Sequence, residues 1–239
     1  MYIADFELNL QSGTCGPRKK EDPFSFLARE AFEKIRQRGT VEQEAEMAIL
    51  FANCFGGWTF GEPQLQKLAE HGPGGISAFQ AIAWFPAAAQ GQVTIENNLR
   101  TAALTFSSEG VAFLHALQLA EIWLERGKYL TVFAGASESC GSPFLRDALG
   151  LIDPRDAALW MRLSKSGRYK VTIEQMSEFN LEDGTAVHVN LPEFQGTPVR
   201  GACALPMIML AALSNQPSAY VLDMRFAVVA AKDVITIYA

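Results

Sequence analysis

The stretch FPAAAQGQVTIENNLRTAALTFSSEGVAFLHALQLAEIWLERGKYLTVFAGASE, Phe85 to Glu138, decides how the rest of the chain is read. Its pattern predicts a first core strand over Leu99–Phe106 and a sharp turn at Phe106-Ser107-Ser108-Glu109-Gly110. A long helix over about Ser108–Arg126 and a second core strand at Tyr129–Ala134 follow. The helix carries Val111, Phe113, Leu114, Leu117, Leu119, Ile122 and Trp123, apolar nearly all round. Such a helix is expected to be buried on most sides, as a central layer between sheets. In an α/β enzyme of this layout the turn would hold a nucleophile, which makes Ser107 the first candidate.

Outward from that stretch, Tyr2–Leu10 alternates as a strand, with Tyr2, Ala4, Phe6, Leu8 and Leu10 on one face. A loop over Gln11–Pro23 leads to a helix at Phe24–Arg38, whose basic last turn and Gly39 suit a C-terminus. A buried strand is expected at Met47–Cys54, a short helix around Pro63–Glu70, and helix again from Phe79 towards Pro86. Asp156–Leu163 and Tyr169–Met176 read as a strand pair joined by Ser164–Arg168. In the tail the expectations are a strand at Thr185–Leu191, a helix at Gly201–Leu213 and a hairpin from Ala219–Ala227 and Val228–Ala239.

Composition narrows the function. With 239 residues the chain has room for one sizeable core or two small lobes. A net charge of -6 disfavours a nucleic-acid partner, which would call for clustered Lys and Arg. Cys15, Cys54, Cys140 and Cys203 form no CxxC pair, so neither a metal site nor a disulfide framework is expected. The N-terminus lacks the basic start and apolar core of a signal peptide, and no apolar run approaches the ~20 residues of a membrane span. A cytoplasmic protein without cofactor is the expectation.

Three segments in order, Pro86-Ala87-Ala88-Ala89-Gln90-Gly91, Thr105-Phe106-Ser107-Ser108-Glu109-Gly110 and Ala134-Gly135-Ala136-Ser137-Glu138, carry a resemblance. They resemble the nucleophile half of the β-ketoacyl synthases, condensing enzymes of fatty-acid and polyketide synthesis with a thiolase-like fold. Aligned on the glycine of the turn, Ser107 takes the place of that family's catalytic Cys. The resemblance implies an α/β, thiolase-like layered fold with an abbreviated second half. It would be a single ketosynthase-like domain over 1–239, with 1–178 as first half and 179–239 as shortened second half. Arg200-Gly201-Ala202-Cys203-Ala204 stands near the family's second-half helix start, and Ala230–Tyr238 would stand for its final strand.

The catalytic set implied by the resemblance is missing. Of the three histidines, His71 reads as a loop residue and His188 lies on an expected strand, while His115 reads as a satisfied core histidine. None stands in the family's His-Gly-Thr or Gly-His-Thr setting, and Gly196-Thr197-Pro198 lacks the imidazole. A Ser hydroxyl without an adjacent base is a poor nucleophile, whereas Cys is partly ionised near neutral pH. Ser107 and Ser108 read equally as helix N-caps, and Glu109 as a first-turn carboxylate favoured by the helix dipole. Glu138 reads as a structural carboxylate, and Phe106 as a bulky residue narrowing any pocket at Ser107. The apolar stripe Ala78-Phe79-Ile82-Trp84-Phe85 reads as core, with an acyl tunnel as the functional option.

The leading expectation is therefore a catalytically silent ketosynthase-like protein related to chain-length factors, in a polyketide or fatty-acid-type pathway, the aryl-polyene type included. By resemblance, Gln92–Phe106 runs along a dimer interface, pairing the chain with itself or with a ketosynthase. An acyl carrier protein is a further partner, for which Arg18, Lys19 and Lys20, or Lys34, Arg36 and Arg38, would supply positive charge. Solvated surface charge is the plainer reading of both groups. The alternatives are a serine acyltransferase or thioesterase using Ser107 with a folded-in His, and a stand-alone homodimer binding a small acyl ligand.

Overall fold

A computed structural model describes residues 1–11, 14, 20–38, 46–108, 111–149 and 155–174, together with 203, 205–206, 209, 218–222, 226–231 and 234–238. Its frame is a nine-stranded mixed sheet. The strands are β1 (Tyr2–Leu10), β2 (Met47–Ala52), β3 (Ala102–Phe106), β4 (Thr131–Glu138), β5 (Ala157–Ser164), β6 (Tyr169–Glu174), β7 (Ser218–Leu222), β8 (Phe226–Ala231) and β9 (Val234–Tyr238). They lie in the order β3-β2-β4-β5-β1-β6-β9-β8-β7. β3, β2 and β4 run parallel, so their C-terminal ends share one edge, and β5 turns antiparallel against β4.

β2 shows why the sheet is buried on both faces. Its sequence, MAILFA, is an uninterrupted apolar run with all six residues buried, as expected of a parallel strand covered on two sides. Ala48, Leu50 and Ala52 face one cluster with the helix α5 (Ala112–Glu125). Ile49 and Phe51 face the other, with the helix α1 (Pro23–Gln37). At the centre of the α1 face, Trp160 is fully buried, donates to the Ala28 carbonyl at 2.8 Å and meets Phe32 edge-on at 4.9 Å. Its indole lies flat on Gly135, where a Cβ would come within 2.4 Å of the ring. The glycine of the Ala-Gly-Ala-Ser-Glu strand is thus a packing requirement of the Trp opposite.

Several expectations shift. α5 begins at Ala112 and its N-cap is Val111, so Ser107 and Ser108 are not helix caps. His115, Gln118, Ile122 and Glu125 form an exposed line along it, so among the described residues no second layer covers that side of α5. His115 belongs to that line and is no core histidine. The helix expected around Pro63–Glu70 is α2 (Trp58–His71), which accommodates Pro63 inside it and ends on His71. After α2 come the short helix α3 (Gln80–Ala83) and then α4 (Ala88–Glu96). α4 shortens the strand expected from Leu99, which starts only at Ala102.

β5 and β6 do not pair with each other; β1 lies between them, antiparallel to both. The tail forms the β7-β8-β9 meander instead of a single hairpin, with β9 parallel to β6. The expected strand at Thr185–Leu191, together with Arg18, Lys19, Cys15, Glu109 and His188, lies outside the described residues, and the Gly201–Leu213 helix lies largely so. Among the described residues no helix is long and apolar enough to cross a membrane.

Candidate functional site

The shared C-terminal edge of β2, β3 and β4 is where ligands sit in parallel α/β sheets, because loops leave the strands there and can diverge. Beyond β2 the chain continues as Asn53-Cys54-Phe55-Gly56-Gly57. The Asn53 N–H extends the ladder by donating to the Phe106 carbonyl at 3.1 Å. Its side chain then pins the loop to β4: Nδ2 donates to the Ser137 carbonyl and to Glu138 Oε2, and Oδ1 accepts from the Gly56 N–H. Glu138, 2% exposed, also accepts from the Cys54 and Phe55 N–H groups at 2.7 and 3.2 Å. With its charge held by three neighbouring donors, Glu138 is a structural carboxylate, as its place at a strand end suggested.

Asp22 does the same on the α1 side. Fully buried, it caps α1 by accepting from the Phe24 N–H at 3.1 Å and reaches across to the Phe60 N–H of α2 at 2.8 Å. Burial pushes its carboxyl up from 3.8 to about 7; the two backbone donors oppose that rise, and the nearby Asp156 and Glu138 carboxylates add to it. Cys140 and Cys203 are buried beside the same carboxylates, and desolvation raises both thiols well above their ordinary range. Neither is a thiolate that could stand in for a nucleophilic Cys.

β3 ends differently. Ser107 is exposed, and among the described residues no imidazole pairs with it. The neighbouring Ser108 is the residue that meets one: its Oγ lies 3.0 Å from Nδ1 of His115 in the first turn of α5. The Phe106 ring stands 6.4 Å from the imidazole, centroid to centroid. The pairing was hidden in the sequence by the apolar neighbours of His115. The signal that could have found it is Gln118 and Glu125 three and ten residues on, which mark the same face of the helix as the solvent side.

A small apolar groove lies where α2 meets α3. Its volume is about 330 Å³, and Gly57, Trp58, Gly61, Leu65, Gln80 and Trp84 line it. Gly57 is obligatory there, since a Cβ would fall 2.0 Å from the Ala83 carbonyl oxygen and its N–H donates to the Trp84 carbonyl at 2.8 Å. Phe79, Ile82, Trp84 and Phe85 are each more than a third exposed, so the stripe read as core is surface. Ser107 is not among the residues lining the groove. Among the described residues no group of three or more His, Cys, Asp or Glu side chains could hold a metal ion.

The basic residues proposed for carrier binding are partly engaged. Lys34 and Arg38 pair with Asp5 and Glu7 of β1, and Arg36 donates to Asn97. Lys20 stands 5.4 Å from the Phe79 ring centroid. These contacts fit surface charge serving the fold.

No family model matches the chain. Part of it is 33% identical over 128 residues to the tetracenomycin polyketide synthase ketoacyl synthase beta subunit of Streptomyces glaucescens, covering 49% of this chain and 31% of that protein. Among solved structures, it superposes on a chain of a type II polyketide-synthase acyl-carrier protein in complex with its ketosynthase bound to the hexaketide. The TM-score is 0.56 at 28% identity, over 61% of this chain and 48% of that one. A ketosynthase in complex with its chain length factor from Xenorhabdus doucetiae shares the fold at a TM-score of 0.55 and 16% identity, over 69% of this chain and 79% of that one. The chain thus spans about a third or less of the length of the curated relatives it matches.

Proposed function

We propose that this chain, a β-ketoacyl synthase-like protein of thiolase-like α/β fold related to the chain-length factors of type II polyketide synthases, acts as a partner subunit of a ketosynthase and does not itself condense acyl groups. The pathway would be of polyketide or fatty-acid type, the aryl-polyene type among them. The observation that carries the reading is the free edge of the sheet. β3 is the terminal strand in the described sheet, with Leu104 45% exposed, and Ile95 on the preceding α4 is 78% exposed. An edge strand offers a row of unsatisfied backbone groups that a second chain can extend. Exposed apolar side chains beside it give such a contact its desolvation energy. Both residues fall in Gln92–Phe106, the segment whose resemblance implied a subunit interface.

Silence in condensation rests on chemistry. A decarboxylative condensation needs a thiolate to carry the acyl group and imidazoles to handle the decarboxylated carbanion. This chain has Ser107 at the thiol position and no histidine in the expected settings. An acyl carrier protein would reach the complex through the ketosynthase, since Lys34 and Arg38 are paired with carboxylates of β1.

Co-expression with type II ketosynthase subunits, followed by size-exclusion chromatography with light scattering, tests the reading. Co-elution at one-to-one stoichiometry is expected, and Leu104→Glu is expected to abolish it while the chain stays folded. Condensation of a malonyl thioester by the purified chain alone would overturn the reading.

A further inference from the structure

We propose that the groove between α2 and α3 is a binding site for a small planar aromatic molecule carrying one N–H or O–H donor, a role separate from partnering a ketosynthase. The groove holds about 330 Å³, at the lower end of small-molecule sites, and Trp58, Leu65 and Trp84 form its apolar walls. Trp84 and Leu65 are about half exposed, so both keep apolar surface for a ligand to cover. Trp58 is braced from behind by the Phe144 ring at 5.1 Å, which fixes that wall. Gly61 supplies the floor. It lies inside α2, its N–H donating to the Gly57 carbonyl at 2.8 Å, where glycine is a poorer helix former than alanine. Nothing around it demands that weakness: a Cβ would stand 3.4 Å from Gln80 Nε2 and 3.7 Å from Trp84 Cβ, ordinary contact distances. Gly57 and Gly135, by contrast, are required by approaches of 2.0 and 2.4 Å. Glycine at 61 is explained by the groove it leaves open and not by the packing of the chain.

Gln80 sets the chemistry of the ligand. It brings the one side-chain amide of the lining, with Nε2 standing over Gly61 and Oε1 buried without a hydrogen-bond partner among the described residues. The terminal torsion of a glutamine is soft, so the amide can turn its oxygen to the groove. A buried acceptor left unpaired is costly, and a ligand that brings a donor relieves that cost. The rest of the lining offers ring faces and edges. Two indole walls favour a flat aromatic ring, which stacks on them or meets them edge-on, over a saturated chain that gains only area. The size suits a fused bicyclic ring with a donor on its rim, of which indole is a simple example.

Isothermal titration calorimetry of the full chain with indole tests the site, with 1-methylindole and 1-octanol as comparison probes. Saturable binding of one indole per chain is expected, with 1-methylindole, which lacks the donor, about tenfold weaker or more. 1-Octanol keeps a donor but has no ring, and should bind about tenfold weaker than indole or not at all. Gln80→Met keeps the bulk and removes the amide, so it should bring indole and 1-methylindole to equal affinity. Gly61→Leu fills the floor and should abolish indole binding; should that variant fail to fold, the Gln80→Met comparison decides on its own. Gly61→Ala should melt no lower than wild type, since alanine favours the helix and meets only ordinary contacts. No saturable indole binding, equal affinity of the wild type for indole and 1-methylindole, or octanol as tight as indole would each overturn the assignment. So would a preference for indole that survives Gln80→Met, undiminished binding to folded Gly61→Leu, or a marked fall in the melting temperature of Gly61→Ala. The chain is titrated alone, so these outcomes are independent of its co-elution with a ketosynthase.

Discussion

β3 and β4 are parallel neighbours of β2 that end on the same edge, yet their ends have opposite characters. At the end of β4, Ser137 donates to the Phe24 and Ala157 carbonyls, Glu138 holds the Asn53–Phe55 loop, and Ser139 is bonded to Thr59. Every one of those side chains is buried. At the end of β3, Ser107 and Ser108 face solvent with a single imidazole in reach. The difference follows from position in the sheet. β4 is flanked on both sides by strands and covered by α1 and α5, so its polar groups must find protein partners. β3 is the edge, and its polar groups remain available to a substrate or a second chain.

The largest effect should come from breaking the sealed end. Glu138→Ala removes the acceptor of two backbone N–H groups and one of the two acceptors of the Asn53 amide, at a cost of ~3 kcal/mol or more. Chemical denaturation should show a large fall in midpoint, while Ser107→Ala at the open end stays within ~0.5 kcal/mol of wild type. Comparable losses from both would erase the contrast.

Next comes the pH dependence set by Asp22. Its folded carboxyl titrates near 7, whereas in the unfolded chain it would titrate near 3.8. Between those values the folded form binds a proton that the unfolded form has released, so this group's contribution to stability falls as pH rises from 4 through 7. The full difference is on the order of 4 kcal/mol. Urea midpoints should therefore decline across that range through this group, and Asp22→Asn, which cannot ionise, should flatten the decline.

Smaller in stability, though decisive for function, is Leu104→Glu. A half-exposed leucine on an edge strand contributes little to the fold, so the change should cost under ~1 kcal/mol in the isolated chain. Loss of ketosynthase co-elution without loss of thermal stability would sharpen the view of β3 as the outward-facing edge.

Much of the frame was legible in the sequence because it rests on local patterns. Tyr2–Leu10 alternates and is β1 to the residue, and the apolar run from Met47 is β2. The readings that failed depended on pairings distant in sequence. Nothing within Asp156–Met176 says that β1 will separate β5 from β6, and the short link at Ser164–Arg168 suggests the reverse. The stripe at Phe79–Phe85 is apolar enough to read as core, but Gly56 and Gly57 hold Trp84 at the surface through close backbone contacts. At the candidate site, the turn after β3 was legible, with Ser107 as its expected nucleophile position. The imidazole beside Ser108 was not, because one polar residue within Phe113-Leu114-His115-Ala116-Leu117 looks buried until the helix phase is fixed by Val111.

The placement of β1 between β5 and β6 also has a consequence for biogenesis. Tyr2 pairs with Ser164 and Lys170, so β1 has no ladder partner until most of the described sheet has been translated. Non-local pairing of this kind slows folding and leaves strand edges open to aggregation in the interim. The nascent chain is therefore a natural client for chaperones that shield apolar segments.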